Sequence, residues 1–133
     1  MELVEQRGDS DCLIACLATI LHVGYENIPA NIGEEENQLN NMQKFLSTYG
    51  LVCWSFGIWG DKEPLLKFGN KKLEYHFHPP GFWIASVKSP RTGNGHTVVM
   101  RSSKIFFDPH PKRNMGHLGF EEALILMPEA EWE

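Results

Sequence analysis

The chain has 133 residues, a hydrophobic fraction of 42% and a formal net charge of -5 at pH 7, which suits a single domain over residues 1–133 built around one core. The negative balance argues against a nucleic-acid polymer or an anionic membrane as partner, and no apolar run reaches bilayer length. The opening MELVEQRGDSD lacks the basic-then-apolar order of a secretion signal, and three cysteines are an odd number, so the expectation is a reduced, cytoplasmic protein.

Leu13, Leu17, Ile20 and Leu21 recur at three- and four-residue steps, which predicts an amphipathic helix from about Cys12 to His22 or Val23, stopping near Gly24. Ser10 and Asp11 stand where an N-cap is wanted. Cys12 is thereby placed at, or one turn inside, a helix N-terminus, where unpaired N–H groups and the macrodipole favour thiolate over thiol. Cys16 lies one turn on, and a disulfide within one helix is geometrically disfavoured. Cys16 and Cys53 read as small buried apolar residues. A connection from Tyr25 to Gly33 and the acidic run Glu34, Glu35, Glu36 follow. Leu39, Met42, Phe45, Leu46 and Tyr49 then predict a second amphipathic helix closed by Gly50.

Past Gly50 the period changes to two. Val52, Trp54, Phe56 and Ile58 alternate with less apolar positions, as do Leu73, Tyr75 and Phe77 with Glu74, His76 and His78, and both runs predict strands. Leu65 and Leu66 are ambiguous, and Gly69-Asn70 signals a turn. Phe82 to Val87 is continuously apolar and predicts a central strand. His96 to Arg101 and Lys104 to Phe107 predict two more strands, joined by a tight turn at Ser102-Ser103, so that the three form an antiparallel meander. Phe120 to Leu124 fits a short helix, while Leu124 to Met127 fits a final strand. Helices first and strands afterwards is the order of an α+β domain with N-terminal helices packed on an antiparallel sheet.

The chemistry converges on four residues. If the strands pair through Ser102-Ser103, His96 and Asp108 emerge at the same end of a hairpin. A carboxylate there fixes the imidazole tautomer and stabilises the imidazolium. A thiolate at Cys12 facing that ring forms the ion pair of an activated cysteine nucleophile. Gln6 offers a side-chain N–H that, with the Cys12 backbone N–H, can stabilise an oxyanion.

Gln6, Asp11-Cys12, Ala15-Cys16-Leu17-Ala18, Gly95-His96-Thr97-Val98-Val99 and Asp108-Pro109 stand in the order of the papain-like cysteine peptidases, and the chain most resembles the C39 and C39-like peptidases. Gly119-Phe120-Glu121-Glu122 looks like the short helix that ends such domains, so the resemblance runs from Gln6 to about Met127. It implies a papain-like fold, Cys12 as nucleophile, His96 as general base and acid, Asp108 as the group that orients the histidine, and Gln6 in the oxyanion hole. One departure is Leu13, where the family usually has Gly; a bulky side chain there could narrow the cleft or change the substrate. No transporter domain accompanies the motifs, so leader-peptide processing by an exporter is not implied.

The expected activity is therefore cysteine-dependent hydrolysis of a peptide or isopeptide bond, with no cofactor and no metal. Leu13, Trp54, His76, His78 and Gly95 are the candidate substrate contacts. Lys112 and Arg113 form a small basic patch that would suit an anionic substrate. His76, His78, His110 and His117 could bind zinc with a cysteine, but no CxxC or HExxH spacing supports this. Three other readings stay open: the same triad acting on a small non-peptide molecule (amide, thioester or nucleotide phosphodiester), acyl transfer to an amine, and a silent binding or inhibitor protein, which Leu13 favours.

Overall fold

A computed structural model describes residues 2–8, 11–32, 38–61, 63–67, 74–88, 95–111 and 119–129. Ser10, residues 34–36, the Gly69-Asn70 turn, Leu73, Lys112, Arg113 and His117 lie outside the described residues. The domain is α+β: among the described residues two α-helices lie against an antiparallel five-stranded sheet, with a separate two-stranded sheet. No helix among the described residues is long and apolar enough to cross a membrane.

Helix α1 spans Cys12–Leu21, and every residue from Leu13 to Thr19 is buried. The periodicity predicts one apolar face, but small side chains at Ala15, Cys16 and Ala18 let neighbours close in on every side. The sheet covers one flank, and Ile28, Ile32, Met42 and Leu46 cover others. The N-terminal arm is tied on by the Val4 N–H, which donates to Thr19 Oγ1 at 2.9 Å. The helix stops earlier than Gly24 suggests, because His22 takes the left-handed conformation at φ 58°, the backbone state that commonly ends a helix.

Helix α2, Gln38–Ser47, packs on the edge strand β1, Leu51–Gly57. The Gln43 side chain acts as a short surrogate strand there: its Nε2 donates to Leu51 O at 3.1 Å and its Oε1 accepts the Cys53 N–H at 3.0 Å. That occupies backbone groups an open edge would leave unpaired.

Strand β2, Leu65–Lys67, pairs with β3, Glu74–His76, in the small sheet, which settles the ambiguous Leu65-Leu66 pair. Strands β4 (Phe82–Lys88), β5 (Gly95–Arg101) and β6 (Lys104–Phe107) form the expected meander. The short helix expected at Phe120 is a correction: residues Phe120–Pro128 form strand β7. It lies between β1 and β4 and pairs antiparallel with both. Phe120, Ala123 and Leu124 satisfy a helical spacing too, but two waiting strand edges supply hydrogen bonds that an isolated turn of helix cannot match.

The sheet has a core on each face. Ile84, Val99, Phe107 and Leu124 meet α1 and α2 on one side. Trp83, Val87, Val98, Met100 and Phe120 form a second cluster on the other, where Phe77 from the β3 side packs edge-on against Trp83 at 5.0 Å.

Candidate active site

Three elements meet where α1 begins. Cys12 is the first residue of α1, so the N–H groups of its turn have no intrahelical acceptors. His96 is the second residue of β5, and Asp108 follows the last residue of β6. The β5–β6 hairpin, turned at Ser102 (φ 55°) and Ser103, returns Asp108 to the end of the sheet that carries His96. Thr97, next to His96, faces α1: the Cys16 thiol donates to its Oγ1 at 3.6 Å.

His96 and Asp108 are 5% and 8% exposed. His96 Nε2 lies 2.8 Å from Asp108 Oδ1, which also accepts the His110 N–H at 3.0 Å. With Nε2 taken by the carboxylate, the ring nitrogen left for the sulfur is Nδ1. Burial alone would push the ring's pKa down, but the hydrogen bonds to Asp108 and Cys12 and their charges raise it to about 9. Burial likewise disfavours a charged sulfur at Cys12. The His96 ring, the Thr97 hydroxyl, the Thr97 N–H and the imidazolium charge outweigh it and hold Cys12 below the ordinary 9.0. The two shifts share one contribution, mutual stabilisation of thiolate and imidazolium, so the two groups titrate as a pair.

The other two thiols move the opposite way. Complete burial pushes Cys16 well above its ordinary value, and burial together with Glu122 raises Cys53 to about 11. All three cysteines are free, and Cys12 is the one whose surroundings favour the thiolate.

Gln6 is 5% exposed. Its Nε2 donates to Gly8 O at 2.7 Å and its backbone N–H to Pro109 O at 2.9 Å, which fastens it beside Asp108. Among the described residues its Oε1 has no hydrogen-bond partner.

The candidate substrate contacts need correction. Leu13 is 4% exposed and belongs to the main core cluster; a helical step of about 100° turns its side chain away from that of Cys12. Trp54 is exposed, but β7 and β4 separate β1 from β5, a displacement of about 14 Å at usual strand spacing. His76 sits on β3 with its Nδ1 2.7 Å from Glu63 Oε2, and His78 is exposed just beyond β3. Neither ring is among the groups that set the charge of Cys12 or His96. Gly95 does border the site, exposed beside His96 at the start of β5. Among the described residues no group of three or more His, Cys, Asp or Glu side chains is placed to hold a metal ion.

Two contributors escape sequence reasoning. One is Thr97, a hydroxyl-bearing residue in an otherwise apolar buried run; that break in the pattern was the available signal. The other is Asp11, whose carboxylate makes no cap bond to α1. It turns back instead, accepting the Arg7 N–H at 2.7 Å and the Gly8 N–H at 2.8 Å, and receives the Tyr25 hydroxyl at 2.6 Å. No family model, curated protein or solved structure matches the chain.

Proposed function

We propose that the chain is a cysteine-dependent hydrolase of papain-like, C39-like architecture, with peptide or isopeptide bonds as its substrates. The observation that carries this is the line Cys12–His96–Asp108, in which the sulfur is at a helix start, the ring joins sulfur to carboxylate, and the thiol and imidazole shift in the directions an ion pair requires. The Cys12 thiolate attacks the acyl carbon. The carbonyl electron pair moves to oxygen, which the Cys12 N–H and the second hydrogen of Gln6 Nε2 receive. His96 gives its proton to the departing amine, leaving a thioester on Cys12. It then takes a proton from water, which cleaves the thioester and restores the ion pair. Asp108 keeps the ring in the tautomer that aims Nδ1 at the sulfur. Leu13 packs into the core, so the steric reason for a silent binding protein falls away.

The test pairs labelling with turnover. Iodoacetamide at pH 7, followed by peptide mapping, should modify Cys12 well ahead of Cys16 and Cys53. A library of acyl-peptide and isopeptide amides should be cleaved by the wild type and not by a folded Cys12→Ala variant. Equal slow labelling of all three thiols, or cleavage that persists in Cys12→Ala, removes the assignment.

A further inference from the structure

We infer that Asp11 and Tyr25 are positioning residues that hold the Gln6 amide in place for the oxyanion, an inference resting on the hydrolase reading above. Asp11 precedes the nucleophile in sequence, yet its carboxylate bonds into the loop that carries Gln6. It gathers three donors: Arg7 N–H on Oδ2, Gly8 N–H on Oδ1, and the Tyr25 hydroxyl, also on Oδ2. Two of these are consecutive backbone amides, so the carboxylate sets the direction of the chain at Gly8. The Gly8 carbonyl in turn accepts Gln6 Nε2 at 2.7 Å. Turning the Gln6 amide over would set its Oε1 against that carbonyl oxygen, so the contact fixes which end of the amide is the donor.

The other attachment of Gln6, its N–H to Pro109 O, comes from the strand end that holds Asp108. Gln6 is thus suspended between the histidine-orienting end of β6 and the Asp11 hub. Tyr25 follows α1 in a single 3-10 turn, Tyr25–Asn27, and ties the hub to the far end of the helix that begins at Cys12. Its ring is covered by the Arg7 guanidinium, 4.0 Å from the ring centre, so residues 6–8 are held through backbone, carboxylate and ring together. Burial disfavours the Asp11 charge, but its donors, Tyr25 foremost, keep its pKa below the ordinary 3.8. The hub therefore stays charged through the range in which Cys12 and His96 work, and an uncharged isostere cannot accept at both oxygens.

Two probes of one sulfur separate positioning from mere support. Iodoacetamide is attacked by direct displacement of iodide, with no oxyanion. p-Nitrophenyl acetate is attacked at its carbonyl: the electron pair moves to oxygen, then returns as p-nitrophenolate leaves and the acetyl thioester forms on Cys12. Gln6→Ala should slow the second reaction by about a hundredfold and leave the first nearly unchanged. Asp11→Ala should lower the ratio of acylation to alkylation by at least tenfold, and Tyr25→Phe should lower it by a few fold. The Gln6→Ala/Asp11→Ala double variant should acylate no more slowly than Gln6→Ala alone, because Asp11 acts through Gln6. If Asp11→Ala does not fold, Tyr25→Phe, which keeps the ring under Arg7, decides the question by the same ratio. Acylation and alkylation falling together, or losses that multiply in the double variant, overturn the positioning role while the nucleophile assignment stands. A wild-type Cys12 that reacts quickly with neither probe overturns both.

Discussion

Replacing Asp108 by asparagine and by alanine should divide its effect on the nucleophile into a hydrogen bond and a charge. Raising His96 from 6.5 to about 9 amounts to about 3 kcal/mol in favour of the imidazolium. Burial opposes that shift, and the largest favourable part is the hydrogen bond to Asp108; the carboxylate's charge contributes less. Both the ring Nε2 and the His110 N–H bond the same oxygen, Oδ1, so the carbonyl of an asparagine can accept both. Asp108→Asn should then retain most of the thiolate, with alkylation at pH 6 reduced by about tenfold or less. Asp108→Ala strands a buried ring N–H at a cost of about 1–3 kcal/mol and lets burial pull the imidazole down. Its alkylation at pH 6 should fall about a hundredfold, the equivalent of most of that 3 kcal/mol at 1.36 kcal/mol per decade. The assay is the second-order rate with iodoacetamide from pH 5 to pH 10.5. The wild-type and both variant profiles should converge at the alkaline end, where every Cys12 is deprotonated, and circular dichroism reports separately that the variants are folded. An alanine profile that overlays the wild type, or an asparagine as damaged as the alanine, would refute the reasoning.

Turnover and alkylation should part company at high pH. Both rise as Cys12 loses its proton below 9.0, but the leaving group needs the proton on His96, which is lost as the pH passes about 9. Steady-state hydrolysis should therefore be bell-shaped while alkylation keeps its plateau; a hydrolysis rate still flat at pH 10.5 would contradict His96 as the acid. Thr97→Val keeps the shape and removes the hydroxyl that supports the Cys12 sulfur. At about 1.5 kcal/mol for a hydrogen bond to a charged group, alkylation at pH 6 should drop roughly tenfold, and Thr97→Ser should restore it. A valine variant with an unshifted pH profile would make Thr97 a packing residue only.

The placement of Cys12, His96 and Asp108 was legible because each sits where local pattern is unambiguous. Cys12 opens a periodic helix, His96 follows a glycine at the start of an apolar strand, and Asp108 precedes a proline that ends one. What failed was everything that depends on which neighbour a face meets. Alternation places Trp54 and His76 on strands correctly, but it does not say that β7 and β4 intervene or that Glu63 claims the imidazole. The resemblance puts Leu13 in the cleft because it stands where the family has Gly, but a helix separates adjacent side chains by about 100°. Asp11 carries the short polar side chain of a cap, and such a group bonds forward into the helix or back into the preceding loop with equal ease; the partner that decided it, Tyr25, lies fourteen positions on. At Phe120 the spacing served two periods, and the choice was made by strands more than thirty residues upstream.

The place of β7 in the sheet also bears on how the chain comes off the ribosome. The helix pair with β1, and the meander of β4, β5 and β6, are each continuous in sequence, but the strand that joins them is translated after both. Until residues 120–128 emerge, the growing chain presents two raw sheet edges, the kind of species prone to wrong association. Closure is then an event of high contact order, and the sulfur, the ring and the carboxylate become a rigid unit only after residues 120–128 have been made.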